Sequence, residues 1–356
     1  MLPYYILIFS PFLFSLLKSR KILVNKKIYT LGNAQIIGLF FFIYLTMLIL
    51  RDVSIGRDLI NYSSLFKSYL YRDWKNILRL DIEPLYIVLN KIIGMFTSNF
   101  QWVIVITSFL IAIPVWITYR KEIEDPLLTI SLFIILPTFV MFFSGLRQSI
   151  AIALGMIAYE MTKRHKLIPF LLICVLAVGF HYSASVLFLM YPLYRAKITR
   201  NWFIISIPVL VMIYVFNKQF FLILTALFGR YESNIRETNA YSMLILFILF
   251  AVFSFVIPDE EKIDEETYGM RNFLLLSLAI QLFVPLNSLV MRMNYYYIIF
   301  IPLLIPKIIK CCERRWNQVA LLSKYVFLLY FLFYFFDHMP SGNILDTFPY
   351  RFFWEV

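Results

Sequence analysis

Charge is scarce in this chain. Only 15% of its 356 residues are Asp, Glu, Lys or Arg, where a soluble domain carries about 25%. Hydrophobic residues make up 61%, and mean hydropathy is +0.78. These values exclude an ordinary soluble domain and predict a polytopic membrane protein. Cysteine is scarce too. Cys174 lies inside an apolar run, and Cys311 and Cys312 sit side by side near a basic cluster. Neither arrangement is a disulfide framework or a metal-ligand spacing. There are 3 histidines, with no His-Glu-x-x-His motif and no acidic metal cluster. Metal-dependent chemistry is not favoured, and no cofactor is expected. The opening Met1-Leu2-Pro3-Tyr4-Tyr5 lacks a basic n-region and a small-residue cleavage site. It reads as the start of a first membrane helix, not of a cleaved signal peptide.

What is present is mostly apolar runs punctuated by basic loops. The formal net charge of +12 could point to nucleic acid. However, the Lys and Arg residues fall in short loops, as the positive-inside rule expects. The membrane is therefore the expected partner, not nucleic acid. Runs cover roughly 2–17, 34–50, 100–119, 127–143, 147–161, 167–194, 202–216, 240–257, 271–286, 295–309 and 319–336. The run 167–194 is basic at both ends, so it must cross an even number of times. It is split near Gly179-Phe180-His181-Tyr182-Ser183 into a short hairpin or re-entrant pair. The expected fold is all-α, with about 10–12 transmembrane helices. One integral membrane domain over 1–356 is expected, without tandem repeats or a soluble domain.

The stretch 51–99 is too polar to span. It carries Leu65, Tyr69, Leu70, Trp74, Ile77 and Leu78 at helix-like intervals among many charges. It reads as amphipathic helices at the outer interface, with an ordinary solvated loop as the alternative. The acidic Asp259-Glu260-Glu261-Lys262-Ile263-Asp264-Glu265-Glu266 is expected to be a solvated cytoplasmic connection.

The organising stretch is Phe143-Ser144-Gly145-Leu146-Arg147-Gln148, between two long apolar runs. An arginine at the centre of a bilayer-spanning helix costs at least ~2.5–3.5 kcal/mol. It needs an anion or a carboxylate, unless it snorkels to the headgroups. Ala151 and Gly155 follow on the same helix face and form a small-x-x-x-small stripe. That stripe invites a close neighbouring helix and turns Arg147 toward the protein interior.

A topology drawn from basic loops alone places Arg51, Arg57, Asp58, Glu83, Arg147, His181, Arg230 and Arg292 toward the outer face. Arginines without evident one-to-one acidic partners suit an anionic ligand, and several converging suit a diphosphate. Glu83 and Asp58 are candidate general bases. Arg57 and Asp58 could instead form an internal salt bridge. His181 reads as a packing residue, an acid/base or a phosphate ligand.

Gly56-x-Asp58-x-x-x-Tyr62, Glu83-Pro84-Leu85-Tyr86 with Leu89-Asn90-Lys91, Ser144 to Gln148 with Ala151, Phe180-His181-x-Ser183, and Arg292 followed by Tyr295 to Tyr297 occur in that order. With these motifs the chain resembles the EpsG family of exopolysaccharide proteins, grouped with Wzy-type polymerases of O-antigen and capsule. Leu59 departs from the hydroxyl residue that the family often has after the Asp. The resemblance implies a GT-C-like architecture and a glycosyltransferase at the outer face of the bacterial cytoplasmic membrane; the missing metal motifs make it metal-independent, and a single-step displacement would make it inverting. It would join oligosaccharide units carried on undecaprenyl diphosphate, as donor and acceptor, with a chain-length regulator protein as a further partner. Glu83, Asp58 or else His181 would take the acceptor proton. Arg147 and Arg292, with Arg51, Arg57 and Arg230, would hold the diphosphate, supported by Gln148, Tyr62, Ser144 and Tyr296. Two other classes remain. A lipid-linked sugar flippase should line a path to both faces and repeat its hydropathy between halves, and neither feature is visible. A membrane acyltransferase would use His181 as base.

Overall fold

The structure, a computed structural model, describes residues 1–18, 22–24, 27–29, 32–74, 82–228, 241–338, 341 and 343–355. Arg20, Lys21 and Lys26 of the first basic loop, Ile77 and Leu78 of the outer stretch, and Arg230 lie outside the described residues. The chain is an all-α membrane protein, apart from a short antiparallel ribbon, β1 (Ile22–Val24) with β2 (Lys27–Tyr29), in which Leu23 pairs with Ile28. Its contacts group into two compact units. Met1–Ser185 with Tyr325–Val356 forms the first, and Val186–Lys324 the second.

The first unit holds α1 (Leu2–Lys18), α2 (Asn33–Leu50), α3 (Leu59–Tyr71), α4 (Pro84–Gly94), α5 (Gln101–Glu122), α6 (Pro126–Ile135), α7 (Thr138–Ser144), α8 (Leu146–Lys163) and α9 (Leu167–Phe180). Apolar runs bounded by polar caps explain most of these limits. The Gln35 side chain accepts from the Gly32 amide at the start of α2, at 3.0 Å. Asp125 accepts from Leu128 N–H at the start of α6, behind Pro126 in the first turn, the position where proline is tolerated. Pro137 then ends the α6 direction, because its ring and missing N–H block helix continuation. As a result α6 and α7 meet at 59°.

Helices α2, α5, α8 and α9 pack in sequence across this unit, with α1 on α2. Ala151 and Gly155 are buried on α8, so the small-residue stripe lies within the packed interior. In the stretch 51–99, α3 buries Leu59, Tyr62, Phe66 and Tyr69 and leaves Ile60 and Tyr71 exposed. It packs on α4, where Lys91 donates to the Tyr69 and Arg72 carbonyls at 2.7 and 2.8 Å. Those carbonyls belong to the end of α3, which leaves its last C=O groups without intrahelical partners. The Leu-Asn-Lys motif therefore has a structural reason in a helix cap.

The second unit holds α10 (Met190–Arg195), α11 (Arg200–Val215), α12 (Asn217–Phe228), α13 (Tyr241–Val256), α14 (Glu265–Gln281), α15 (Met291–Ile298) and α16 (Ile301–Lys310). Then α17 (Asn317–Phe333) leads back to the first unit. The run 167–194 does break where expected. It comprises α9, a 3₁₀ stretch over Tyr182–Leu189, and α10. Among the described residues, three helices are long and apolar enough to cross a bilayer, and six spans result if each bent pair counts as one. Shorter apolar helices account for Leu2–Leu16, Pro84–Gly94, Leu167–Phe180 and Tyr241–Val256.

The acidic connection differs from the solvated loop expected. Asp259 and Asp264 accept from the Glu261 and Thr267 amides and cap the elements that follow. Glu266 pairs with Lys307 at 3.1 Å. Glu260 meets Arg271 at 2.8 Å, and that guanidinium is fully buried between the rings of Phe255 and Tyr268, at 4.2 and 4.6 Å. Removing one partner of a buried pair strands the other charge. Glu260→Ala should therefore lower stability by about 3 kcal/mol, while Glu260→Ala with Arg271→Met should recover most of the loss. Thermal melts in detergent check this, and equal losses in both variants would contradict it.

Candidate active site

The site starts from a broken helix. Ser144 ends α7, Gly145 leaves the helical region at φ −84 and ψ 72, and Arg147 lies in the first turn of α8. Against this break lies the turn before α3. Gly56 has φ +116 there, and a Cβ on it would meet the Phe143 carbonyl oxygen at 2.2 Å. Only glycine has both that conformation and that space. The close approach sets Asp58 on Ser144. The Asp58 amide donates to Ser144 Oγ at 3.2 Å, and that hydroxyl donates to Asp58 Oδ2 at 3.2 Å.

One turn further, the Arg147 guanidinium reaches two groups of the outer stretch. Its Nη1 donates to Glu83 Oε2 at 2.5 Å, and its Nε to the Tyr62 hydroxyl at 3.4 Å. The cation also lies 5.5 Å from the Tyr62 ring centroid, and that ring packs on Tyr86. Glu83 stands just before α4, positioned by Pro84 in the first turn of that helix. Its other oxygen, Oε1, lies 2.6 Å from His181 Nδ1. His181 arrives at the end of α9, which approaches α4 closely because Gly179 faces Leu85. A Cβ there would lie 2.6 Å from Leu85 Cδ1.

Glu83 thus joins an arginine and a histidine. Its side chain is 4% exposed against 25% for Arg147, so the carboxylate lies on the inner side of the pair. Glu83 precedes α4 and lies outside the helices long and apolar enough to cross a bilayer. Burial pushes its carboxyl up, but the His181 hydrogen bond and the Arg147 charge outweigh burial and hold it at about 2. Such a carboxylate is ionised at neutral pH and a feeble proton acceptor. The ionised Glu83 accepts a hydrogen bond from His181 Nδ1–H. His181 Nε2 is buried and has no partner among the described residues.

A family model described as the EpsG family matches residues 35–352. The chain belongs to the EpsG family. Members are Wzy-like polymerase-type proteins, so this is a polysaccharide polymerase-like membrane protein. No curated protein and no solved structure matches the chain. The EpsG match spans every residue of the cluster.

The structure brings together Asp58, Tyr62, Glu83, Ser144, Arg147 and His181 in the first unit of the EpsG chain. Arg51 is fully buried at the end of α2, where Nη1 donates to the Leu48 carbonyl and lies 3.4 Å from Ser108 Oγ. Its guanidinium sits over the Phe143 ring, and its Nε and Nη2 have no partner. Arg57 is exposed and pairs with Asp346 at 3.2 Å, not with Asp58. The expectation that the outer arginines lack acidic partners fails for Arg147 and Arg57, which have Glu83 and Asp346. Gln148 is buried beside Arg147 in the chain. Arg292 is exposed at the start of α15 in the second unit, where Tyr296 is buried. Asp346 had no signal in the sequence, because its partners are 289 residues away.

Two outcomes follow from this geometry. Gly56→Ala should destabilise the protein by about 1–3 kcal/mol through its positive φ and the Phe143 contact, read as a lower melting temperature. The Glu83 carboxyl has a folded value of about 2 against an ordinary 4.5. A depressed carboxyl stabilises fully above its ordinary value, and that stabilisation fades as pH falls toward the folded one. The melting difference between wild type and Glu83→Gln should therefore stay constant between about pH 5 and pH 8 and narrow only below about 4.5. A difference that already shrinks between pH 7 and pH 5 would show that Glu83 is not held in this way.

Proposed function

We propose that this chain is the polymerase that joins oligosaccharide repeat units carried on undecaprenyl diphosphate, at the outer face of the cytoplasmic membrane. The reading rests on one observation above the rest: Glu83 holds both Arg147 and His181 Nδ1, and His181 Nε2 is left without a partner. A carboxylate that orients a histidine through Nδ1 prepares Nε2 to take a proton. His181 is then the general base, and Glu83 positions it.

In the proposed step the acceptor sugar hydroxyl gives its proton to His181 Nε2. Its oxygen attacks the anomeric carbon of the donor and forms the new glycosidic bond. The bond from that carbon to the phosphate oxygen breaks, and undecaprenyl diphosphate leaves with the electron pair. A single displacement of this kind inverts the anomeric centre. Arg147 is a quarter exposed, and Glu83 and Tyr62 engage Nη1 and Nε. Its Nη2 is the group offered to the departing diphosphate, where a positive charge stabilises developing negative charge. Asp58, fixed on Ser144, is placed to accept a hydrogen bond from a sugar hydroxyl.

The test is a purified protein supplied with a defined undecaprenyl-diphosphate oligosaccharide, with product length read on a gel. His181→Ala should slow chain growth by about 10²–10⁴-fold. Arg147→Lys, which keeps the charge but loses the planar fork, should slow it by about 10²-fold. Long polymer from both variants at normal protein level would rule out this site. Accumulation of single repeat units in cells carrying either variant is the matching outcome in vivo.

A further inference from the structure

Residues 343–353 are stitched back onto the chain at the end of α2 and the turn before α3. The Phe353 amide donates to the Leu50 carbonyl at 3.0 Å, the Asp52 amide to the Arg351 carbonyl at 3.0 Å, and Arg51 pairs with Phe352 as an isolated bridge. The Tyr350 hydroxyl donates to the Met47 carbonyl and the Tyr4 hydroxyl to the Thr347 carbonyl, at 2.7 and 2.6 Å, both buried. Further up the segment, the Arg57 and Gly56 amides donate to the carbonyls of Leu345 and Asp346, at 2.9 and 3.1 Å, and the Arg57 side chain pairs with Asp346.

Those last contacts fall on the turn that carries Asp58. Gly56 has Asp346 on its amide side and the Phe143 carbonyl against its Cα. The turn is held between the segment and the α7–α8 break. The segment takes an unusual backbone to do this. Asn343, Leu345 and Asp346 have φ of 33, 58 and 54. Positive φ at a leucine is a genuine outlier, and such strain persists only where surrounding contacts over-determine it. Two of these three, Leu345 and Asp346, are the residues whose carbonyls receive the Arg57 and Gly56 amides.

We infer that residues 343–353 form a strap that sets the position of the Gly56–Asp58 turn, and so of Asp58 against Ser144 and the Arg147–Glu83–His181 cluster. The strap is a positioning element and touches no substrate. This inference rests on the polymerase reading of the same cluster. Its lower half, Thr347–Phe353, anchors to α1 and α2. Its upper half, Asn343–Asp346, presents the two carbonyls.

The experiment separates the halves. Two glycines inserted between Asp346 and Thr347 keep the anchor and free the upper half. Arg57→Cys with Asp346→Cys, in a chain with Cys174, Cys311 and Cys312 replaced by serine, lets a short bifunctional thiol reagent tie the turn to the strap again. With the undecaprenyl-diphosphate oligosaccharide as probe, the insertion should cut turnover on the order of tenfold, more in turnover than in donor KM, at an unchanged melting temperature. Cross-linking the insertion variant should restore the activity of the same cysteine pair without the insertion. Wild-type turnover from the insertion variant, or no recovery on cross-linking, would overturn the strap. Should wild type itself make no polymer, the polymerase reading fails. The cross-linking yield of the cysteine pair without the insertion then still decides the strap's placement: efficient linkage supports it and none refutes it.

Discussion

The first unit depends on one shared carboxylate. Glu83 is nearly inaccessible, yet it stays ionised because a guanidinium and an imidazole both face it. Three chain segments far apart in sequence meet there: the residue before α4, the first turn of α8 and the end of α9. None could be buried alone without a large desolvation cost. Together they hold a charged group inside an apolar protein and leave one ring nitrogen free. In the proposed mechanism the contact that buries this carboxylate is also the one that orients the base.

Two glycines make that meeting possible, in different ways. Gly179 removes bulk where α9 crosses near Leu85 of α4, which lets His181 come within hydrogen-bonding distance of Glu83. Gly56 supplies a backbone shape as well as space, and delivers Asp58 to Ser144. Arg51 shows the contrasting solution for a buried cation. It meets the Leu48 carbonyl, the Ser108 hydroxyl and the Phe143 ring, without a carboxylate among its described contacts. An aromatic face offers a weaker, non-directional hold than a carboxylate, and it leaves Arg51 closed to any ligand at the surface.

Much of the framework was legible from local pattern. The run 34–50 became α2, and the polar break at 144–146 fell between α7 and α8. These features come from hydropathy and from residues that cannot continue a helix, and both are local signals. The conjunction of Arg147 with Glu83 and His181 was legible only as a shared face, drawn from basic loops. Pairings were not legible. Arg57 has Asp58 as its neighbour but chooses Asp346, because backbone donors at Gly56 and Arg57 had already brought that strand of chain alongside. The acidic stretch 259–266 reads as solvated by composition, while Glu260 and Glu266 in fact serve buried or half-buried cations. Composition reports how polar a segment is and says nothing about which distant charge it answers.

The bond from the Tyr4 hydroxyl to the Thr347 carbonyl spans 343 positions. Around it, Tyr4 also packs on the rings of Phe348 and Tyr350. A ribosome delivers residue 4 before residue 347, so the face of α1 that receives Thr347, Phe348 and Tyr350 is filled only once those residues have been made. Closure of the first unit around Tyr4 therefore carries the entropy of a very long loop, which the buried hydrogen bond and the three packed rings must offset.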